Sequence, residues 1–352
     1  MILNQINLLF IGDEKSLRDN FSKEVEFFNK EGNEFQIISK TVENIELAKL
    51  ALETSRFDVI VTDLKIEAGN AECSAVEIGN EFIKQLRQIS PCPIAILTGK
   101  PTDVEQSAID NASMAKFTKE TEAETKIFQW IKTKLKLIAL MRQSFLLLNK
   151  ELAPLFHGGV ATRLSVGATS IPAESALRVI LENVADSILT VTSTTKCHPQ
   201  ESYIYPVTRS KLMTGDIIEY ETETWIILTP ACDITRCSTD YSLLLAKCRT
   251  HDKYEKYLEK ATGGDFTSLN NLINQANNLS THFLPPLEKG TAPYIVDFEQ
   301  LTVIKYSSLS SQKIIAAVSP KFLPNLIHRF SAFIGRPGAP DIDSQHCLEY
   351  SK

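Results

Sequence analysis

Phe57-Asp58-Val59-Ile60-Val61-Thr62-Asp63 decides how the N-terminal half is read. Val, Ile and Phe packed into so few residues describe a strand buried on both faces, as in a parallel sheet. A carboxylate at its C-terminal tip, just before Leu64, has left that core. In doubly wound α/β sheets, ligands sit beyond the carboxyl ends of strands. Three other strand tips agree. Leu8-Leu9-Phe10-Ile11 runs into Gly12-Asp13-Glu14, Ile94-Ala95-Ile96-Leu97 into Thr98-Gly99, and Ala115-Lys116-Phe117-Thr118 into Lys119. Carboxylates, a hydroxyl and an ammonium thus converge on one sheet edge, a set able to hold a divalent cation and a phosphoryl group.

This constellation resembles the receiver domain of bacterial two-component response regulators, over roughly residues 5–136. The resemblance implies that Asp63 is the phosphoacceptor and that Mg²⁺ is held by Asp13 and Asp63. It also implies that Thr98 is the switch hydroxyl, that Lys119 contacts the phosphoryl group, and that a histidine kinase is the partner. The residue types suit those roles. A carboxylate can attack a phosphoryl donor to give an acyl phosphate. Mg²⁺ takes hard oxygen ligands and keeps several waters, and Lys offers phosphoryl oxygens a charge-assisted hydrogen bond.

The chain departs from that family at several points. Gly12 stands where the first of two acidic residues is usual, and Lys65 is cationic two positions after Asp63, where it could compete with metal or touch phosphate. Lys116 takes the aromatic switch position, with Phe117 displaced by one, and Glu120 replaces a proline. The loop Glu67-Ala68-Gly69-Asn70-Ala71-Glu72-Cys73-Ser74 is lengthened before Gly79 restores the pattern. A phosphorylatable receiver and a degenerate one used only for docking both fit. Catalysis of its own would extend at most to autodephosphorylation.

The remainder of the N-terminal region alternates strand and helix, with strands near 6–11, 35–39, 57–62, 93–97 and 115–118 and helices near 15–29, 43–54, 77–88 and 102–111. From 121 to 152 there is neither Gly nor Pro, and apolar residues recur at Ile127, Ile131, Leu135, Ile138, Met141, Phe145, Leu148 and Leu152. One helix of about thirty residues would extend ~45 Å; two helices kinked near Leu140 are the alternative. A continuous helix serves as a homodimer seam or as a strut between domains. Pro154 ends it, and a further helix is expected at 173–189.

Beyond about residue 203 the period becomes that of strands. Met213 to Tyr220, Glu223 to Leu228 and Ser242 to Cys248 form an arrangement similar to a small SH3-like barrel, faintly like that of endoribonuclease toxins. A polar helical stretch follows at 252–282, broken at Gly263-Gly264, then strands at 294–305 and 313–319 and a helix at 321–333. The expected fold is therefore α/β: a flavodoxin-like five-stranded parallel sheet (1–120), a helical connector (121–200), and an α+β domain with a small barrel (201–352).

Cys232, Cys237, Cys248 and His251 could be taken for a zinc set. Hairpin geometry opposes it, because seven strand residues span ~23 Å while ligands lie ~2.0–2.3 Å from zinc. Cys232-Asp233 is either a nucleophilic pair or a turn in which Asp233 caps the following segment. Arg329 and Arg336 could meet a phosphate or simply be solvated. Gly158-Gly159 lacks the Lys and Ser/Thr of a phosphate-binding loop. A receiver regulating a nucleic-acid-acting enzyme, with its site at 203–250, is the competing functional class.

The chain has 352 residues, 43% hydrophobic and 23% charged, with a net charge of −6. Residues 1–150 hold 19 basic and 22 acidic side chains and the remainder 18 and 21, so no basic half points to DNA. Seven scattered cysteines suit a reducing cytosol. No signal peptide or spanning helix is expected, so the protein is read as cytoplasmic. No pair of short helices with a basic recognition helix follows the receiver. An atypical receiver with an uncharacterised output domain resembles arrangements in bacterial conflict and phage-defence operons, including phosphorelays in which such a protein absorbs phosphate.

Overall fold

The computed structural model describes residues 4–66, 74–109, 112–160, 172–191, 196–236, 238, 240–275, 279–336 and 343–351. Most of the lengthened loop after Asp63 (67–73), Cys237, and parts of the loops at 190–195 and 335–340 lie outside them. The chain divides into two units, 1–188 and 189–352.

In the first unit β1 (Gln5–Ile11), β2 (Gln36–Val42), β3 (Val59–Asp63), β4 (Ile94–Thr98) and β5 (Met114–Thr118) form a parallel sheet in the order β2-β1-β3-β4-β5. That is the flavodoxin-like order, with its switch point between β1 and β3. Every residue of β3 and β4 is buried. Strand alternation sorts them into two layers. Leu8, Phe10, Val59, Val61 and Leu97 pack with α1 (Lys15–Lys30) and the helix after β5. Leu9, Ile11, Ile60, Ile94 and Ile96 pack with α2 (Ile45–Thr54) and α3 (Ala75–Ile89) on the other face. β2 runs three residues further than its apolar core suggested, because an edge strand leaves Lys40 partly wet while Val42 pairs with Ile11.

α2 starts where the Asn44 side chain accepts from Leu47 N–H at 2.8 Å, and α3 at a Ser74/Glu77 capping box. Gly79 of α3 lies so close to the strand end that an added Cβ would sit 1.8 Å from Leu64 O. Gly79→Ala should therefore destabilise the unit by about 3 kcal/mol, the upper range for overpacking, since backbone beside Asp63 must move. Denaturant unfolding checks this, and a loss smaller than that of an ordinary exposed-helix substitution would refute the close approach.

Among the described residues 102–109, the helix expected at 102–111 does not form. Two 3₁₀ turns, Pro101–Asp103 and Gln106–Ala108, stand in its place. The reason is tertiary. Buried Asn80 of α3 donates to Asp103 O and accepts from Glu105 N–H, both at 2.9 Å. It thereby takes backbone groups that a helix would have paired internally. Lys84–Glu105 at 2.8 Å adds a second tie.

α4 (Ala123–Leu155) is a single helix of 33 residues, about 50 Å long. Pro154 does not end it but stands inside its last turn, and the chain passes into a π-type turn, Phe156–Val160. Its apolar stripe has two fates. Ile127, Ile131 and Ile138 are buried in the core of the first unit, whereas Leu148 and Leu152 are 43% and 39% exposed. Ile138 therefore is not a seam residue. α5 (Ala173–Val191) follows, its Ser187 hydroxyl donating to Glu151 at 2.5 Å.

The second unit holds β6 (Tyr203–Ile204), β7 (Asp216–Tyr220), β8 (Glu223–Ile227), β9 (Ser242–Arg249), β10 (Thr281–Leu284), β11 (Tyr294–Lys305) and β12 (Ile314–Val318). They order as β10-β11-β9-β8-β7-β12-β6 with antiparallel pairings. Among the described residues these pairings do not close on themselves, so the expected SH3-like barrel is not seen. The run Trp225-Ile226-Ile227-Leu228 is explained instead by a sheet covered on both faces. Ile217, Ile226 and Val296 face α9 (Leu323–Ile334), while Ile218, Ile227 and Leu245 face a second cluster with Leu212 and Leu309. α6 (Ala231–Arg236), α7 (Tyr254–Thr262), α8 (Thr267–Asn274), a short helical turn at Tyr306–Leu309 and α10 (Ser344–Tyr350) belong to the same unit. The stretch read as helical to 282 ends earlier, because β10 pairs with β11 there. Among the described residues no helix is long and apolar enough to cross a membrane.

Candidate functional site

β3 delivers Asp63 to the carboxyl edge of the parallel sheet with only 1% of its surface exposed. Its Oδ2 accepts from Lys119 Nζ at 2.5 Å and its Oδ1 from the Lys65 backbone N–H at 3.1 Å. β1 ends one strand away, and the loop beyond it brings Asp13 and Glu14 in. One carboxylate oxygen from each of Asp13, Glu14 and Asp63 lies within 4.8 Å of the others. Lys119 Nζ also reaches Glu14 Oε1 at 3.9 Å.

Backbone bonds hold this loop in shape. Gly12 N–H donates to Val42 O at 3.1 Å. Arg18 Nη1 of α1 donates to Gly12 O at 2.7 Å and to Asp13 O at 2.6 Å. On the far side, Lys119 N–H donates to Thr98 O at 2.9 Å, tying the end of β5 to that of β4. Burial pushes the Asp63 carboxyl above its usual range and the Asp13 charge adds to that, while Lys119 and the Lys65 N–H pull it down.

Three carboxylates against one ammonium leave an excess of negative charge on hard oxygens, the donor chemistry that suits Mg²⁺. Asp13, Glu14 and Asp63 would hold such an ion. Asp13, Asp63 and Lys119 thus come together. Thr98 stands on the same edge, buried, but its hydroxyl is engaged with Lys100, accepting from N–H at 3.2 Å and facing Lys100 O at 3.3 Å. Glu14 was missed in the sequence, although its position beside Asp13 in a strand-end loop could have signalled it. Lys116 Nζ donates to Pro101 O and Val104 O, each at 3.3 Å. Phe117 points to the opposite face, edge-on to Trp130 of α4 at 5.9 Å.

The other sequence candidates are scattered. Cys248 is buried in β9, where desolvation pushes its thiol up, while Cys232 is exposed. Among the described residues the acidic trio alone brings metal-binding groups together. Cys232 Sγ lies 3.6 Å from Asp233 Oδ1 at the start of the six-residue α6, with no cation or histidine in that contact. Arg329 Nη2 donates to Thr281 O at 3.0 Å, and Arg336 lies 4.5 Å over the Phe333 ring.

No family model and no curated protein matches the chain. Among solved structures it is similar to a CheY-like response regulator receiver domain from Methylobacillus flagellatus, at 20% identity, covering 37% of this chain and 98% of that one, with a TM-score of 0.28. It is similar also to the chemotaxis response regulator CheY4 of Vibrio cholerae, at 20% identity over 36% of this chain and 98% of that one, TM-score 0.28. The response regulator TrrA from Thermotoga maritima, solved in complex with Mg²⁺-BeF, is 19% identical over 37% of this chain and 99% of that one, TM-score 0.28.

Proposed function

We propose that the first unit is a receiver that accepts a phosphoryl group on Asp63 from a histidine kinase, with Mg²⁺ held by Asp13, Glu14 and Asp63. A carboxylate oxygen of Asp63 forms the new P–O bond as the donor's P–N bond breaks, and the freed imidazole takes up a proton. Lys119 moves from the Asp63 carboxylate to the phosphoryl oxygens. The observation that carries this reading is the buried Asp63 at a switch-point strand tip, ion-paired to Lys119 with two further carboxylates in reach. Acetyl phosphate with Mg²⁺ is expected to raise the mass by one phosphoryl group, and Asp63→Asn to remain unmodified. Unchanged wild-type mass, together with no transfer from a kinase, would leave a receiver used for docking alone.

The output runs through protein contacts or consists of absorbing phosphate. An antiphage setting, implied by the resemblance, finds no support in the fold. A nucleic-acid-acting second unit is the weaker alternative, since among the described residues Cys232 and Asp233 meet no catalytic partner. Leu146, Leu147, Leu148 and Leu152 of α4 and Phe156 beyond it are 39–58% exposed, which favours a homodimer through the distal part of α4. The double variant Leu148→Glu/Leu152→Glu should then halve the mass seen by light scattering, whereas a monomeric wild type would rule the dimer out.

A further inference from the structure

The second unit contains a cleft of about 460 Å³, bounded by α7, α8 and the β10-β11-β9 side of its sheet. Its volume lies within the ordinary range for small-molecule sites. The proposed phosphoryl chemistry does not use it. We propose that this cleft binds a free nucleotide of mononucleotide size, its phosphate against Arg249, His251 and Lys253 and its base against Tyr257 and Phe283.

The donors are prepared for an anion. Arg249 is held by Nε, which donates to Asp297 Oδ2 at 3.1 Å. Among the described residues its two Nη groups meet no acceptor, and neither does the Lys253 ammonium. A guanidinium fixed by Nε presents its remaining fork to phosphate oxygens. Asp297 is itself buried and set by Glu299 N–H at 3.0 Å and Gln300 Nε2 at 3.2 Å. Those contacts exist because the register of β11 against β9 slips between Asp297 and Leu301. Such bulges re-aim side chains and gather beside functional sites.

His251 adds a directed donor. Its Nδ1 accepts from the Lys253 N–H at 3.3 Å, so in the neutral ring the proton sits on Nε2. Burial, with Arg249 adding to it, holds its basicity below the usual histidine range, which keeps the ring neutral.

The remaining lining suits a nucleoside better than a bare anion. Tyr257 packs against His251 with ring centres 5.4 Å apart and offers aromatic surface for a base, while the largely buried Phe283 also lines the cleft. Gln275 sits in the left-handed region at φ 53°, and its Oε1 accepts from Phe283 N–H at 3.2 Å. Its Nε2 and the Asn271 amide supply the mixed donors and acceptors that a base edge requires. Asp252, the one carboxylate among the described residues that line the cleft, can accept from ribose hydroxyls. A net charge of −6 without a basic half favours a small ligand over a nucleic acid chain.

Calorimetric titration of the full-length protein with AMP, GMP, CMP, UMP, adenosine and inorganic phosphate tests this. At least one monophosphate should bind, with adenosine and phosphate each weaker by roughly tenfold or more. Arg249→Met and Tyr257→Leu should each weaken that nucleotide by roughly tenfold, while Lys256→Ala on the outer face of α7 leaves it unchanged. Thermal melts establish that the variants fold. Tyr257→Leu keeps the test informative should Arg249→Met unfold by stranding Asp297. The proposal is overturned by any of three results: no nucleotide binds at millimolar concentration, inorganic phosphate binds as tightly as the nucleotides, or folded variants match wild type. Tighter binding of a 5′-phosphorylated oligonucleotide than of any mononucleotide would overturn the small-ligand assignment. None of these outcomes depends on whether Asp63 is phosphorylated.

Discussion

Arg142→Met should lower the stability of the first unit by about 3 kcal/mol, the lower end of what breaking a buried ion pair costs. Arg142 lies on α4 opposite Asp58, the residue just before β3. Its Nε donates to Asp58 Oδ1 at 2.7 Å, and Nη2 both closes the second arm on Asp58 Oδ2 and donates to Gln5 O at 2.8 Å. Asp58 Oδ2 also accepts from Asn7 N–H at 2.7 Å, and its side chain is only 10% exposed. Removing the guanidinium strands that carboxylate with one backbone donor. Arg142 is 30% exposed, so water recovers part of the loss, which is why the lower end of the range applies. Urea unfolding measures the effect. The double variant Asp58→Asn/Arg142→Met should cost clearly less than the two single losses added together, because the stranded charge is gone. A loss within about 0.5 kcal/mol for Arg142→Met, typical of surface changes, would show that the pair is solvated.

A second large effect is expected at Lys119. Its ammonium bridges Asp63 and Glu14 at 2.5 and 3.9 Å. Lys119→Met leaves three carboxylates within 4.8 Å with no cation among them. Such a protein should melt well below wild type in chelator and recover as Mg²⁺ is added, since binding to the folded state alone adds stability in proportion to RT ln(1 + [L]/Kd). Its Mg²⁺ affinity should exceed that of wild type by roughly tenfold, because the ion no longer displaces an ammonium a few ångströms away. Asp13→Ala should act in the opposite sense and nearly abolish binding. Should Lys119→Met bind Mg²⁺ no better than wild type, the ammonium and the ion occupy different ground.

The parallel sheet was legible because its strands are buried on both faces and so appear as apolar runs broken by polar tips. Asp63, Thr98 and Lys119 were legible for the same reason, each standing one step beyond such a run, and Asp13 two steps beyond its own. The missing helix at 102–111 was not, since its absence depends on the buried amide of Asn80, more than twenty residues earlier. β10 was hidden because four residues carry too little period, and its pairing with β11 is non-local. The sheet of the second unit looked like a barrel because its central strands each carry a short continuous apolar run, a pattern that two covered faces produce equally well. His251 attracted notice as a zinc ligand, yet its neighbours across the cleft come from separate parts of the chain, and spacing carries no trace of them.

The stapled 3₁₀ segment between β4 and β5 also bears on transmission. Asn80, Lys84 and Lys116 fasten it from three directions, so this stretch has little freedom to change shape when the neighbouring acidic site is loaded. Lys119, four residues ahead of α4, is the one pairing partner of Asp63 that leads directly into a long element. Among the described residues, this connection through Lys119 is the one by which the proposed event at Asp63 would alter how α4 is seated.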